Sequence, residues 1–222
     1  MSTGENSSSQ AMGKVLGALP FLASVTLKTA DSWSRVGAFA ERAGLLGLEI
    51  LLRTPHAEKG VAMLKEHYPE LRVGLGTVLT LDDFKRAEDV RADFVVSPGT
   101  LPELLERART SGMAYLPGVM TPSEVMLLSR EGFWNAKLFP AGYLIETYVK
   151  ALEGPYPHMK YCVSGGISED NWSFYAQSPS VRSISGTWII PNEHLNDAEA
   201  ESFIHRLEEK HFQFAKFQSI SK

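Results

Sequence analysis

Short apolar runs alternate with amphipathic stretches along almost the whole chain, and no other feature constrains the fold as tightly. From Leu19 onward the runs are "LPFLASV", "LGLEILLR", "LRVGLGTV", "ADFVVSP", "AYLPGVM", "NAKLFP", "KYCVSGG" and "VRSISGTWII". They recur every roughly 20–28 residues, the size of one strand, one turn and one helix. Only the pattern repeats, not the letters. The runs are continuous rather than alternating, as expected of parallel strands covered by helices. Helix starts keep the same phase. "TPSE" at Thr121–Glu124 offers a threonine N-cap, a proline at the first helical position and a glutamate at the third. "TLDD" from Thr80 and "TLPE" from Thr100 are variants of that signal. The stretch "LNDAEAESFIHRLEEKHFQFAKF" reads as a last helix burying Phe203, Ile204, Leu207 and Phe214.

Eight such units in 222 residues predict an α/β fold, an eight-stranded (β/α)8 TIM barrel. An open doubly wound sheet is the alternative, but "GLGTVL" at Gly74–Leu79 lacks the third glycine of a dinucleotide site. With no linker or composition shift in view, residues 14–222 are expected to form a single TIM-barrel domain behind a flexible polar tail, residues 1–13.

Bulk properties exclude several functions. A net charge of −4 gives no electrostatic case for nucleic acid or an anionic membrane surface. No apolar stretch is long enough to span a bilayer, and "MSTGENSSSQ" lacks the basic start and apolar core of a signal peptide. The single cysteine, Cys162, fits a reducing compartment, so the expected location is cytoplasmic. His56, His67, His158, His194, His205 and His211 have no ligand spacing, so no metal is expected.

In a (β/α)8 barrel, chemistry sits at the carboxyl ends of the strands. Those ends carry Glu49 and Arg53, Thr77, Ser97 and Pro98, Lys137, Ser164 with Gly165 and Gly166, and Ser185 with Gly186 and Thr187. Lys137 stands in the apolar run "WNAKLFPAG". Burying an unpaired ammonium costs several kcal/mol, so such a lysine reaches solvent, finds a partner or gives up its proton. As a structural lysine it would pair with a carboxylate or snorkel to the rim. As a catalyst it would attack a carbonyl, and a nearby Arg53 together with desolvation would favour the free amine. Glu49 in "LEILLR" is either a buried ion-pair partner or a proton shuttle. Arg53 is either a solvated strand end or a clamp on a substrate carboxylate. Glycines ending the last two strands suit a phosphate.

The motifs "LEILLRT", "VGLGTVL", "FVVSPG", "PGVMTPSE", "KLFPA", "SGGIS" and "SGTWI" resemble, in order and spacing, the 2-keto-3-deoxy-6-phosphogluconate (KDPG) aldolases. That Schiff-base family also includes the 4-hydroxy-2-oxoglutarate (KHG) aldolases. The resemblance runs from about Leu19 to Ile190. It implies a homotrimeric barrel, without metal or organic cofactor, that splits a phosphorylated ketoacid into pyruvate and glyceraldehyde 3-phosphate in the Entner–Doudoroff pathway. Lys137 would be the Schiff-base lysine and Glu49 the acid/base. Arg53 and Thr77 would hold the pyruvate carboxylate, with Phe139 and Ser164 flanking the pyruvyl group. Gly165, Gly166, Ser185, Gly186 and Thr187 would receive the phosphate, and Pro98 would lie on the same mouth. The chain departs from the family at Val163–Ser164 (usually Pro-Thr), in the loop "GYLIETYV", and at "SGTW" (usually "GGSW"). KHG cleavage remains an alternative on this reading. So do a phosphosugar isomerase or epimerase and a binding protein with a structural lysine.

Overall fold

The computed structural model describes residues 4–145, 147–191 and 197–220. Its strands are β1 (Phe21–Val25), β2 (Gly47–Leu51), β3 (Arg72–Gly76), β4 (Val95–Val96), β5 (Tyr115–Leu116), β6 (Gly118–Val119), β7 (Asn135–Leu138), β8 (Lys160–Val163) and β9 (Val181–Gly186). They form one parallel sheet in the order β5-β4-β3-β2-β1-β9-β8-β7-β6. The sheet's two ends, β5 and β6, flank a single residue, Pro117, so the sheet closes on itself. Proline has no N–H to donate and interrupts the ladder there. Its carbonyl still accepts the Lys137 N–H at 2.8 Å. The expected eight-stranded TIM barrel therefore appears as nine segments, with "AYLPGVM" supplying two of them.

Both faces of β1 and β2 are buried, which explains why the runs do not alternate. Outside the sheet pack α2 (Ser32–Arg42), α3 (Ala57–His67), α4 (Leu81–Asp89), α5 (Pro102–Ser111), α6 (Pro122–Arg130), α7 (Thr147–Glu153), α8 (Trp172–Ala176) and α9 (Asp197–Ile220). Thr80 with Asp83, and Thr121 with Glu124, close complete capping boxes. "TLPE" differs from the sequence reading. Leu101 is the N-cap of α5, and the Thr100 hydroxyl instead donates to Gly118 O at 2.7 Å, tying the loop to the split strand. Along α9, Ile204, Leu207 and Phe214 are buried and Phe203 is partly so. His194 lies outside the described residues.

A separate apolar cluster fills the barrel: Leu22, Phe94, Val96, Leu116 and Cys162, closed from below by Met12 and Leu16. Gly74 makes room for it, because a Cβ there would lie 2.2 Å from the Phe94 ring. Met12 and Leu16 belong to α1 (Ser7–Ala18), which corrects the expectation of a flexible tail through residue 13. Asn6 caps α1 by accepting the Ser9 N–H, and Ser8 and Ser9 are buried. Asn135 at the foot of β7 donates to both Ser9 O and Glu5 Oε1 at 3.0 Å. The serine run hid a helical spacing of apolar residues, Met12, Leu16 and Leu19. Among the described residues no helix is long and apolar enough to cross a membrane.

Candidate active site

β7 carries Lys137 directly above the apolar plug, and β2 carries Glu49 to meet it. Lys137 Nζ donates to Glu49 Oε1 at 2.9 Å and to Oε2 at 3.3 Å. The lysine side chain is 8% exposed and the glutamate 1%, so water does little to screen the pair. Of the possibilities open for Lys137, the resting structure adopts the ion pair, and Glu49 has Lys137 rather than Arg53 as its partner. Glu49 Oε2 also accepts the Ser24 hydroxyl at 2.8 Å. Cys162 faces Lys137 across the ladder, and burial pushes its thiol up to about 12, which leaves it inert as a nucleophile.

The carboxylate fits only because β3 carries glycine beside it. A Cβ on Gly76 would lie 2.3 Å from Glu49 Oε1. Gly76→Ala should therefore push Glu49 off Lys137 and destabilise the fold by about 1–3 kcal/mol, the usual scale of overpacking. The check is a lower urea midpoint at an unchanged slope; an unaltered midpoint would mean that the carboxylate has room to spare.

Above the pair opens a cavity of about 320 Å³. Its walls include Lys137, Arg53, Phe139 and Ser164, with Gly165, Gly166, Gly186 and Thr187 at one end. Lys137 Nζ stands 5.5 Å from the centre of the Phe139 ring. Gly165 and Gly166 have φ of +79° and +74°, a left-handed pair that glycine adopts without strain. They expose backbone rather than side chain to the cavity. Backbone bonds stitch this loop to the turn after β7: Ala141 N to Ser164 O at 2.8 Å and Gly142 N to Gly165 O at 2.7 Å.

Three expected substrate-binding residues are not brought to the cavity. The Ser185 hydroxyl faces inward beside Ser24 and Glu49, fully buried, and is withdrawn from the phosphate set. Thr77 and Pro98, both partly buried, are not among the residues that line the cavity. Thr77 is a β-branched residue at φ +64°, a conformation that costs about 1–3 kcal/mol where the fold enforces it. The Ser97 hydroxyl is used structurally, donating to Val78 O and accepting from Tyr115. Two contributors were missed. Ser24 was a lone hydroxyl in "LASV", legible only as a polar residue at a strand end. Tyr143 stands in the divergent loop and lines the cavity mouth. A second cavity of about 370 Å³ adjoins across Ser24, walled by Thr26, Lys28, Asp31 and Arg35 among others. Among the described residues no three His, Cys, Asp or Glu side chains gather as a metal site.

A buried amine and carboxylate at the carboxyl end of a closed α/β barrel put this chain among barrel proteins equipped for lysine chemistry on small carbonyl compounds. The family model for KDPG and KHG aldolases matches residues 13–206, and the chain belongs to that family. The 2-dehydro-3-deoxy-phosphogluconate aldolase of Pseudomonas aeruginosa is 44% identical over 149 residues, 67% of this chain and 68% of the relative. The KHG/KDPG aldolase of Escherichia coli K12 is 36% identical over 155 residues, 68% and 72% of the two chains. Among solved structures, the KDPG aldolase of Legionella pneumophila holds pyruvate captured at low pH as a covalent carbinolamine intermediate. It superposes with a TM-score of 0.81 at 30% identity, covering 89% of this chain and 96% of its own.

Proposed function

We propose that this chain cleaves 2-keto-3-deoxy-6-phosphogluconate to pyruvate and glyceraldehyde 3-phosphate through an imine on Lys137, as a single barrel domain in the cytoplasm. The observation that carries the proposal is the buried Lys137–Glu49 pair under the cavity, in a chain of this family. The 2.9 Å contact gives the ammonium proton a direct path to Glu49. The amine so freed attacks C2 of the substrate, and a proton passes from its nitrogen to the former carbonyl oxygen to give a neutral carbinolamine. Glu49, now the acid, returns its proton to the carbinolamine hydroxyl, water leaves, and a protonated imine remains. Glu49 then takes the C4 hydroxyl proton, directly or through water. The C3–C4 electron pair moves into an enamine, neutralising the imine, and glyceraldehyde 3-phosphate departs. Glu49 protonates the enamine at C3, and water hydrolyses the pyruvyl imine to pyruvate and the free lysine.

Arg53 at the cavity wall is the clamp for the substrate carboxylate, and Phe139 and Ser164 flank the pyruvyl carbons. The backbone of Gly165, Gly166 and Gly186 with the Thr187 hydroxyl receives the phosphate. Homotrimer formation is part of this proposal. Exposed Leu79, Leu81, Leu101, Met120 and Met126, on neighbouring strand–helix units, support a shared surface.

Incubation with pyruvate and sodium borohydride, followed by peptide mass spectrometry, tests the proposal. The expected product is a reduced pyruvyl adduct on Lys137. A folded protein that yields none would overturn the imine and favour an isomerase or a binding protein. Rates on the two ketoacids then rank KDPG against KHG, and KDPG is expected to be faster.

A further inference from the structure

Ser24 and Ser185 gather at one oxygen of the Glu49 carboxylate, Oε2. Strand β1 lies between β2 and β9, with Ser24 in register with Glu49 and Leu22 in register with Ser185. Leu22 and Ser24 are two apart on β1 and so share the inward face. Ser24 is 8% exposed and Ser185 is fully buried. Donor directions follow from proton counts. Ser24 has one hydroxyl proton and commits it to Glu49 Oε2 at 2.8 Å. Across the 2.9 Å contact between the two hydroxyls Ser185 must therefore be the donor. Its own distance to Glu49 Oε2 is 3.5 Å, the weaker option. The bonds run from Ser185 to Ser24 to Oε2, while Lys137 Nζ lies closer to Oε1, at 2.9 Å, than to Oε2, at 3.3 Å.

On the aldolase reading above, this arrangement acquires a role during turnover. In the resting site Lys137 itself holds the carboxylate through an ammonium with three protons. Once Nζ has become a protonated imine it keeps a single N–H, and its position is set by the substrate. The hydroxyl contacts are the ones that survive this change. We infer that Ser24, backed by Ser185, is a positioning residue that holds Glu49 in place for the proton transfers that follow imine formation.

The test separates imine formation from proton transfer, using pyruvate as the probe. Borohydride trapping reads the first; deuterium exchange into the pyruvate methyl group, followed by proton NMR, reads the second. Ser24→Ala should trap pyruvate to within about twofold of wild type yet exchange about tenfold more slowly, the scale of one hydrogen bond to a charged group. Ser24→Thr keeps the hydroxyl and should recover most of the exchange rate. Ser185→Ala, which acts through Ser24, should slow exchange about threefold and keeps the inference open to test should Ser24→Ala fail to fold. Exchange at the wild-type rate in the alanine variants would make the hydroxyls structural and leave the aldolase reading intact. So would Ser24→Thr exchanging no faster than Ser24→Ala. Wild-type protein that neither traps nor exchanges pyruvate would instead overturn the aldolase reading, and this inference with it.

Discussion

Lys137→Ala should lose aldol cleavage by about 10⁴-fold or more, the scale seen when a covalent nucleophile is removed, and should give no borohydride adduct. The same substitution leaves the Glu49 carboxylate buried at 1% exposure with only hydroxyl donors beside it. Removing one member of a buried pair costs about 3–5 kcal/mol, and the Ser24 bond pulls the expected value toward the lower end. Replacing both charges, as in Lys137→Met with Glu49→Gln, should recover most of that loss, since the desolvation of both ions is then avoided. Urea unfolding of the two variants measures the difference. A Lys137→Ala protein with normal turnover would sink the imine mechanism. One that is inactive but as stable as wild type would mean that Glu49 readily finds another partner or proton.

Glu49→Gln should separate two steps that share one residue. The carboxamide keeps the size and can still accept the Ser24 hydroxyl, so the cavity should persist. It cannot take a proton from Lys137 or from the C4 hydroxyl. Imine trapping should slow but remain measurable, whereas deuterium exchange into pyruvate and cleavage of the ketoacid should fall about 10²–10⁴-fold, the range of general acid–base catalysis. Unchanged exchange would assign the proton transfer elsewhere. Arg53 stands at the wall, but its guanidinium is a poor base, so a water it orders would become the leading candidate.

Fold class was legible because strand and helix periods are local properties. Each apolar run could be read from its own letters, and both capping boxes followed from threonine and an acid three residues on. Pro117 was visible, yet its dividing one barrel strand in two depends on which neighbours the ladder joins. α1 was misread because its first turns are serine; their burial comes from the open foot of the barrel and from Asn135, far away in the chain.

The candidate site divides along the same line. By itself the sequence determined that a barrel would carry Lys137, Glu49 and Arg53 to one end, because strand ends are set by local pattern. Only the tertiary structure decided that Glu49 pairs with Lys137 rather than Arg53, that Gly76 gives it room and that Ser24 holds its second oxygen. It also turned Ser185 away from the cavity that strand order alone would assign it. These contacts join separate strands, β1, β2, β3, β7 and β9. Their partners are chosen by inter-strand register and barrel closure, quantities that no short stretch of sequence contains.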